Sequence, residues 1–456
     1  MGLNFMRVLY LIRARRKENA CIVYNCLMFP AFLALPPEQL TLLRLIADEA
    51  AARGVAAYLV GGVVRDLLLG RPGLDFDIVV VGDAVTLARA LAKKHGGKVT
   101  AHPRFGTGTW KLDGGPGTVD GELLRITPYA LDFITSRRET YSRPAALPEV
   151  TPSTLEDDLK RRDFTINTLA VRLDGAHFGE LYDPHHGADD IARRIIRVLH
   201  PASFLDDPTR IFRAVRYEQR YGFAIAPETL ALIPAARPIV AALSAERLRH
   251  EFDLIFDEPN AAQMLNRLDE LGMLKAAENV LPWGADLRER LAAGLLAQPG
   301  PEWDATLRYS GTPFRQIVGY CLWLLDLSPS ALEAAQTRLI FPLALLTSLR
   351  EAARLRVDLP HFSGAAPSKW VERLRGVPLP AIYAVFLVSG EPALQTYAAY
   401  WQHIHPKTNG DALKALGVPP GPAYKKILLR LRAAWLDGEV ASAQQEKALL
   451  EKLLAT

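Results

Sequence analysis

Asp75 and Asp77 flank Phe76 in the string Asp75-Phe76-Asp77-Ile78-Val79-Val80-Val81, whose apolar run predicts a β-strand. Alternation along a strand points both carboxylates to one face and Phe76 to the other. Two acids a few ångströms apart repel unless cations lie between them, and a donor set made only of oxygen suits Mg²⁺ better than zinc. Such a pair can form a two-metal phosphoryl-transfer site, in which one ion activates an attacking hydroxyl and both hold the leaving oxygens. An isolated pair of this kind is equally at home at a solvated strand start. Asp132, in Leu131-Asp132-Phe133-Ile134, is a charge within an apolar strand and therefore the candidate third carboxylate, unless it simply occupies an exposed edge.

Gly61-Gly62, directly before the helical string Val63 to Leu69, leaves backbone N–H groups open to a phosphate at a helix N-terminus, and Arg65 one turn in adds a fork of donors. The charged string Glu156 to Asn167 contains Arg162 and Asp163, candidates for holding a triphosphate and a ribose hydroxyl. Its plainer reading is a solvated helix face.

Asp206-Asp207-Pro208-Thr209-Arg210 is followed by Arg213, Arg216 and Arg220, a spacing that gathers the arginines on one helix face. Asp207 before Pro208 has the composition of an N-cap with proline at the first helical position. Asp207 and Arg210 also stand one turn apart, a carboxylate acceptor beside a guanidinium donor. Cytosine and adenine each offer an amino donor beside a ring-nitrogen acceptor, whereas uracil and guanine offer the reverse. An Asp/Arg pair therefore matches C and A and leaves the polar edges of U and G unpaired. Arg213 and Arg216 are then available for phosphates.

The elements that must carry these groups are legible from periodicity. A helix over 36–53 precedes a strand at Ala57-Tyr58-Leu59-Val60, then the glycine turn, a helix over 63–69, the strand over 75–81 and a helix over 84–95 closed by Gly96-Gly97. Strand-like runs follow at 105–110 and 130–134. After Pro152 glycine thins out and helical spacing dominates to the C-terminus. The chain of 456 residues is about three times the ~150 residues of one domain, and 49% hydrophobic with 23% charged residues is a globular composition. The net charge of +4 permits a polyanionic partner without requiring one. Cys21, Cys26 and Cys321 are too few for a disulfide framework or a structural zinc, which favours a reducing, cytoplasmic setting. No uncharged apolar run reaches the roughly 18–20 residues of a membrane span. The segment before Met28 is broken by Arg13, Arg15, Arg16 and Lys17 and reads as an extension.

The strings LVGGVVRDLLLG, DFD, EDDLKRRDFTINTLA, LYDPHHG, DDPTRIFRAVRY and SAERLRHEF, in that order, resemble the class II tRNA nucleotidyltransferase and bacterial poly(A) polymerase family over roughly residues 57–260. The resemblance implies an α+β chain: a polymerase-β-like nucleotidyltransferase head, a small mixed sheet with helices, over 31–175, then an all-α neck at 176–240, body at 241–350 and tail at 351–456, with 1–30 as an extension. It implies that Asp75 and Asp77 bind two Mg²⁺ ions, that Asp132 completes the catalytic set, and that Gly61, Gly62, Arg65, Arg162, Asp163, Asp207, Arg210, Arg213 and Arg216 contact nucleotide, with the Asp207/Arg210 pair as the protein template for CTP and ATP. The chain has Asp206, and also Asp132, where relatives carry Glu. His185-His186 reads as a turn beside Pro184 and Gly187 rather than as a metal ligand pair.

The string Asn409-Gly410-Asp411-Ala412-Leu413 through Gly421-Pro422 is similar to a tail segment of CCA-adding relatives, and the helix after it carries Lys425, Lys426, Arg430 and Arg432, suited to an RNA backbone. The activity so implied is addition of C, C and A to a tRNA 3′ end from CTP and ATP without a nucleic-acid template. Poly(A) addition, CC-only or A-only addition, and an inactive RNA-binding protein are the competing readings; neither DNA nor a membrane is expected as a partner.

Overall fold

The computed structural model describes residues 29–71, 76–102, 105–112, 115–119, 122–126, 129–140, 143–146, 148–362 and 364–455. Asp75, Cys21, Cys26 and the extension before Met28 lie outside the described residues. The chain divides into two compact units, one ending at Leu243 and the other beginning at Ser244.

The first unit is built on a mixed seven-stranded sheet. Helix α1 (Pro37–Ala52) leads into β1 (Ala56–Val60), α2 (Gly62–Leu68), β2 (Phe76–Val81), α3 (Ala84–His95), β3 (Lys98–His102), β4 (Thr107–Leu112) and β5 (Tyr129–Thr135). Short strands β6 (Ala170–Arg172) and β7 (Leu181–Tyr182) complete it, in the order β7-β6-β1-β2-β5-β4-β3. All neighbouring pairs are antiparallel except β2 and β5, which run parallel. Strands β6 and β7 lie within the stretch whose spacing reads as helical. Runs of three and two residues are too short to show a period-2 pattern, so only pairing with β1 makes them strands.

Phe76, Ile78 and Val80 are buried on one face of β2. On the other face Val79 packs with Val60 of β1 and Ala170 of β6 beneath Leu155 and Leu159 of α4 (Leu155–Lys160). Thr154 caps α4 by accepting from the Asp157 N–H, and three acids in the first turn complement the helix dipole. Because α4 covers this face at the Val79 end, Arg161 and Arg162, just past its C-terminal Lys160, follow it, and Arg162 reaches the Gly61 turn after β1. Helix α5 (Thr209–Tyr221) packs with Ile211, Phe212, Ala214 and Val215 buried, and Gly222 in a left-handed conformation ends it.

Among the described residues the second unit is helical apart from a two-residue ladder pairing Arg308–Tyr309 with Thr312–Pro313. Its core joins Phe252 and Phe256 of α6 (Ala245–Phe256) to Tyr320 and Trp323 of α7 (Phe314–Leu324). Gly319 permits this approach, since a Cβ there would stand 2.3 Å from the Phe256 ring. Arg315 donates to the carbonyls of Phe256, Glu258 and Leu295, at and just beyond helix C-terminal ends, where carbonyls lack intrahelical partners. At the C-terminal end Leu413, Leu431 and Leu450 pack together between α8 (Pro422–Leu436), α9 (Ala443–Leu454) and the helix before them. Among the described residues no single helix is long and apolar enough to cross a membrane.

Candidate active site

Asp77 on β2 and Asp132 on β5 are register partners in the parallel pair, so both side chains stand on the same sheet face about 4.8 Å apart at the backbone. Thr109 on β4 is opposite Asp132, and its hydroxyl donates to Asp132 Oδ1 at 2.6 Å. Asp132 is exposed and Asp77 half-buried, while Phe76, Ile78, Leu131 and Phe133 are buried on the opposite face. Two carboxylates presented side by side by adjacent strands are hard oxygen donors and fit a hard divalent cation. Among the described residues they do not extend to a group of three or more potential metal ligands, and Asp75 lies outside those residues.

The glycine turn lies against Arg162. Gly61 has φ +74°, a conformation L side chains rarely adopt, and a Cβ there would stand 2.6 Å from Arg162 Nη1. Arg162 Nη2 donates to Asp158 at 3.0 Å and Nη1 reaches the Asn167 carbonyl at 3.4 Å, while its Nε is buried without a hydrogen-bond partner. Asp158, completely buried, also accepts from Arg161 Nε at 2.9 Å and Nη2 at 2.8 Å. One carboxylate thus orients two successive arginines.

A second network joins α2 to α5. Arg65, 5% exposed, donates to Asn167 Oδ1 at 2.6 Å and to both carboxylate oxygens of Asp66 at 2.9 and 3.0 Å, and its guanidinium lies over the rings of Tyr217 and Tyr221. Burial pulls the Arg65 pKa down, but the Asp66 hydrogen bonds and the two tyrosines leave it above its ordinary value. Asn167 Nδ2 donates to Asp163 Oδ1 at 2.8 Å, and Arg213 Nε donates to Asp163 Oδ2 at 2.7 Å. Burial pushes the Asp163 pKa up; the charge of Arg213 and the hydrogen bonds from Asn167 and Arg213 outweigh it and hold the carboxyl below the ordinary Asp value.

At the start of α5, Asp207 Oδ1 accepts from the Thr209 N–H at 3.0 Å and its hydroxyl at 2.7 Å. The regular helix is counted from Thr209, but Asp207 is extended, Pro208 already has helical dihedrals, and the Asp207 carboxylate accepts from the N–H two residues on, which is the capping geometry that the Asp-Pro pair predicts. Arg210, 5% exposed, donates to Ser203 Oγ and to the Arg161 carbonyl, each at 2.7 Å. Arg216 is buried, with its guanidinium 5.9 Å from the Tyr217 ring centroid.

Residues 57–197 match the family model described as the poly A polymerase head domain, and residues 222–278 match a probable RNA and SrmB-binding site of polymerase A. An A-adding tRNA nucleotidyltransferase of Halalkalibacterium halodurans is 32% identical over 90% of this chain and 91% of its own length. The chain belongs to the tRNA nucleotidyltransferase family. A CC-adding tRNA nucleotidyltransferase of Deinococcus radiodurans is 33% identical over 87% of this chain and 89% of its own. The solved Thermotoga maritima CCA-adding enzyme complexed with tRNA matches with a TM-score of 0.69 and 26% identity, covering 93% of this chain and 97% of that one.

This nucleotidyltransferase brings Gly61, Arg65, Arg162, Asp163 and Arg213 together through the contacts above, and Asp77 with Asp132 through strand register. The Arg65 donors are turned into the protein, and the terminal nitrogens of Arg210 are bonded to Ser203 and Arg161, so neither side chain points from its own helix alone into open space. Asp158, Asn167, Tyr217 and Tyr221 are the members that sequence reasoning missed. The i, i+4 spacing of the two tyrosines on an arginine-bearing helix was the available signal.

His186 is left-handed and precedes a short helix at Gly187–Arg193, with Asp183 accepting from the N–H groups of Gly187 and Ala188. Gly187 is required by closeness, since a Cβ would meet the Thr165 carbonyl at 2.2 Å. This is the turn that the His-His string suggested. In the second unit Lys425 and Lys426 on α8 are exposed. Arg430 is paired with Glu439 at 2.6 Å, and Arg432 donates to the carbonyls of Ile404, Trp401 and Gln402, which makes it a structural cation.

Proposed function

We propose that this enzyme adds C, C and A to the 3′ end of tRNA from CTP and ATP, without a nucleic-acid template. The observation that carries the reading is the shared register of Asp77 and Asp132, which puts two carboxylates on the sheet face beside which α4 delivers Arg162. Asp75 and Asp77, with Asp132 as the third carboxylate of the set, would hold two magnesium ions, whose positive charge would acidify the RNA 3′ hydroxyl and neutralise the departing pyrophosphate.

Arg162, Arg213 and Arg216 supply permanent positive charge and donor-only forks, which suit a triphosphate. Gly61 and Gly62 keep the turn free of side chains, so backbone approaches the phosphates closely. Asp207 and Arg210 select the base edge, accepting C and A and leaving U and G unpaired. For Arg210 this requires that it exchange its bond to Ser203 or Arg161 for one to the base. Asp163 holds Arg213 in place and is itself charged at working pH. The exposed Lys425 and Lys426 contribute phosphate contacts to tRNA, and Arg430 does so by leaving its pair with Glu439.

A narrower reading, partial addition of A alone or of CC alone, is favoured by the names of the 32% identical relative from Halalkalibacterium halodurans and the 33% identical relative from Deinococcus radiodurans. One experiment separates the two. Purified protein is incubated with tRNA transcripts ending before the first C, after one C and after CC, with each nucleotide given singly and the products sequenced. Extension of all three substrates in order supports full CCA addition. Extension of only the CC-ended transcript by ATP, or extension by CTP that stops at CC, supports the narrower reading, and a long A tail on any of them overturns both.

A further inference from the structure

Asn167 is 5% exposed, at the end of a single turn of 3₁₀ helix over Thr165–Asn167, and every heavy atom of its amide head is committed. Its Oδ1 accepts from Arg65 and its Nδ2 donates to Asp163, at 2.6 and 2.8 Å. An arginine can only donate and a carboxylate can only accept, so the amide has one chemically acceptable orientation. Asparagine is therefore a neutral two-way bridge between a buried cation and a buried anion. A carboxylate in its place would repel Asp163, and an apolar residue would leave both ions short of a partner.

The bridge has a direction. Asp163 Oδ2 receives Arg213, and Arg213 Nη2 donates in turn to the Tyr217 hydroxyl at 3.0 Å. The Tyr217 ring lies beneath the guanidinium of Arg65, 5.2 Å from centroid to carbon, which closes the circuit from Asn167 back to Arg65. Rotation of the Asp163 carboxylate would swing Arg213 with it, and the Asn167 amide blocks that rotation from the Oδ1 side, together with the Phe164 N–H at 2.9 Å. We propose that Asn167 is a positioning residue of the nucleotide pocket, locking the Asp163 carboxylate so that Arg213 is presented to the triphosphate in one fixed pose. The proposal rests on the reading of Arg213 as a phosphate ligand.

The test uses Asn167→Asp and Asn167→Ala in the full chain, with nucleotide KM and kcat measured against pH. The charged and titratable groups around position 167 are Arg65 and Asp66 of α2, Arg162, Asp163, and Arg210 and Arg213 of α5, with the Tyr217 and Tyr221 hydroxyls beyond them. When protonated, the carboxyl introduced by Asn167→Asp reproduces the amide: its carbonyl accepts from Arg65 and its O–H donates to Asp163. When ionised, it opposes Asp163. The nucleotide KM of Asn167→Asp should therefore rise at least tenfold from the acid to the alkaline side of a new ionisation that the parent enzyme lacks, with kcat at saturation changing far less. Asn167→Ala should show a raised KM at every pH.

A KM for Asn167→Asp that follows the parent profile, or an Asn167→Ala variant that loses melting temperature but keeps the parent KM, overturns the bridge. Arg213→Ala is the control for the underlying reading. If it raises KM and adding Asn167→Ala raises it no further, the bridge acts through Arg213. If Arg213→Ala raises KM while Asn167→Asp stays flat, only the bridge fails. An unchanged KM in Arg213→Ala removes the pocket reading and the proposal together.

Discussion

The guanidinium of Arg162 occupies the space that a side chain at Gly61 would need, its Nη1 lying 2.6 Å from the ideal Cβ position. Backbone and charge are thereby interlocked at the entrance to α2. Gly61→Ala combines that collision with a positive φ, at a cost on the order of 1–3 kcal/mol. The variant should melt at lower temperature and show a raised nucleotide KM. An alanine variant with parent KM would mean that the position of Arg162 is irrelevant to nucleotide.

Asp77→Asn and Asp132→Asn each remove a negative charge from the shared face without changing shape. Loss of several kcal/mol of transition-state stabilisation corresponds to a fall in incorporation of about 100-fold or more. Asp75→Ala should abolish incorporation. In all three, tRNA retention in a filter-binding assay should stay close to that of the parent. Incorporation within a few-fold of the parent in Asp77→Asn would contradict the carboxylate mechanism.

Asp207→Ala and Arg210→Ala address base choice. A polar edge left unpaired costs about 1–3 kcal/mol, so discrimination against UTP and GTP should relax by roughly 10- to 100-fold while triphosphate affinity changes less. Misincorporation measured with each nucleotide singly is the readout, and unchanged ratios in both variants would count against a protein template. Arg210→Ala also frees Ser203 and the Arg161 carbonyl, so a melting curve accompanies it.

Asp163→Asn tests the electrostatic brace. The Asp163 carboxyl is held below its ordinary pKa, so its stabilising contribution is fully present above the unfolded-state value near 3.9 and is lost only as pH falls through the lower folded-state value. Replacing it should cost about 1.5–3 kcal/mol in urea unfolding. That difference should be constant between pH 7 and about 4.5. A gap that closes between pH 7 and 5 would show that the carboxyl is not held low.

Local pattern and long-range placement divide sharply here. The alternation around Asp77, the glycine turn before α2 and the arginine spacing on α5 are readable because each depends on residues within a turn or two, where period and backbone freedom decide the outcome. Strands β6 and β7 are not readable that way, since their few residues become strands only by pairing with β1 and with each other.

By itself the sequence determined which groups this protein has for handling phosphates, and on which kinds of element they ride. Tertiary structure alone decided who faces whom. Asp77 and Asp132 meet because two strands run parallel in one register, and Arg65 finds Asn167 across 102 positions of chain. In isolation Arg65 is a plausible phosphate fork, yet once buried its guanidinium must satisfy its donors at short range, and Asp66, Asn167 and two tyrosine rings are what the fold puts there. Desolvation sets the role of a buried charge, and desolvation is a property of packing that no local pattern encodes.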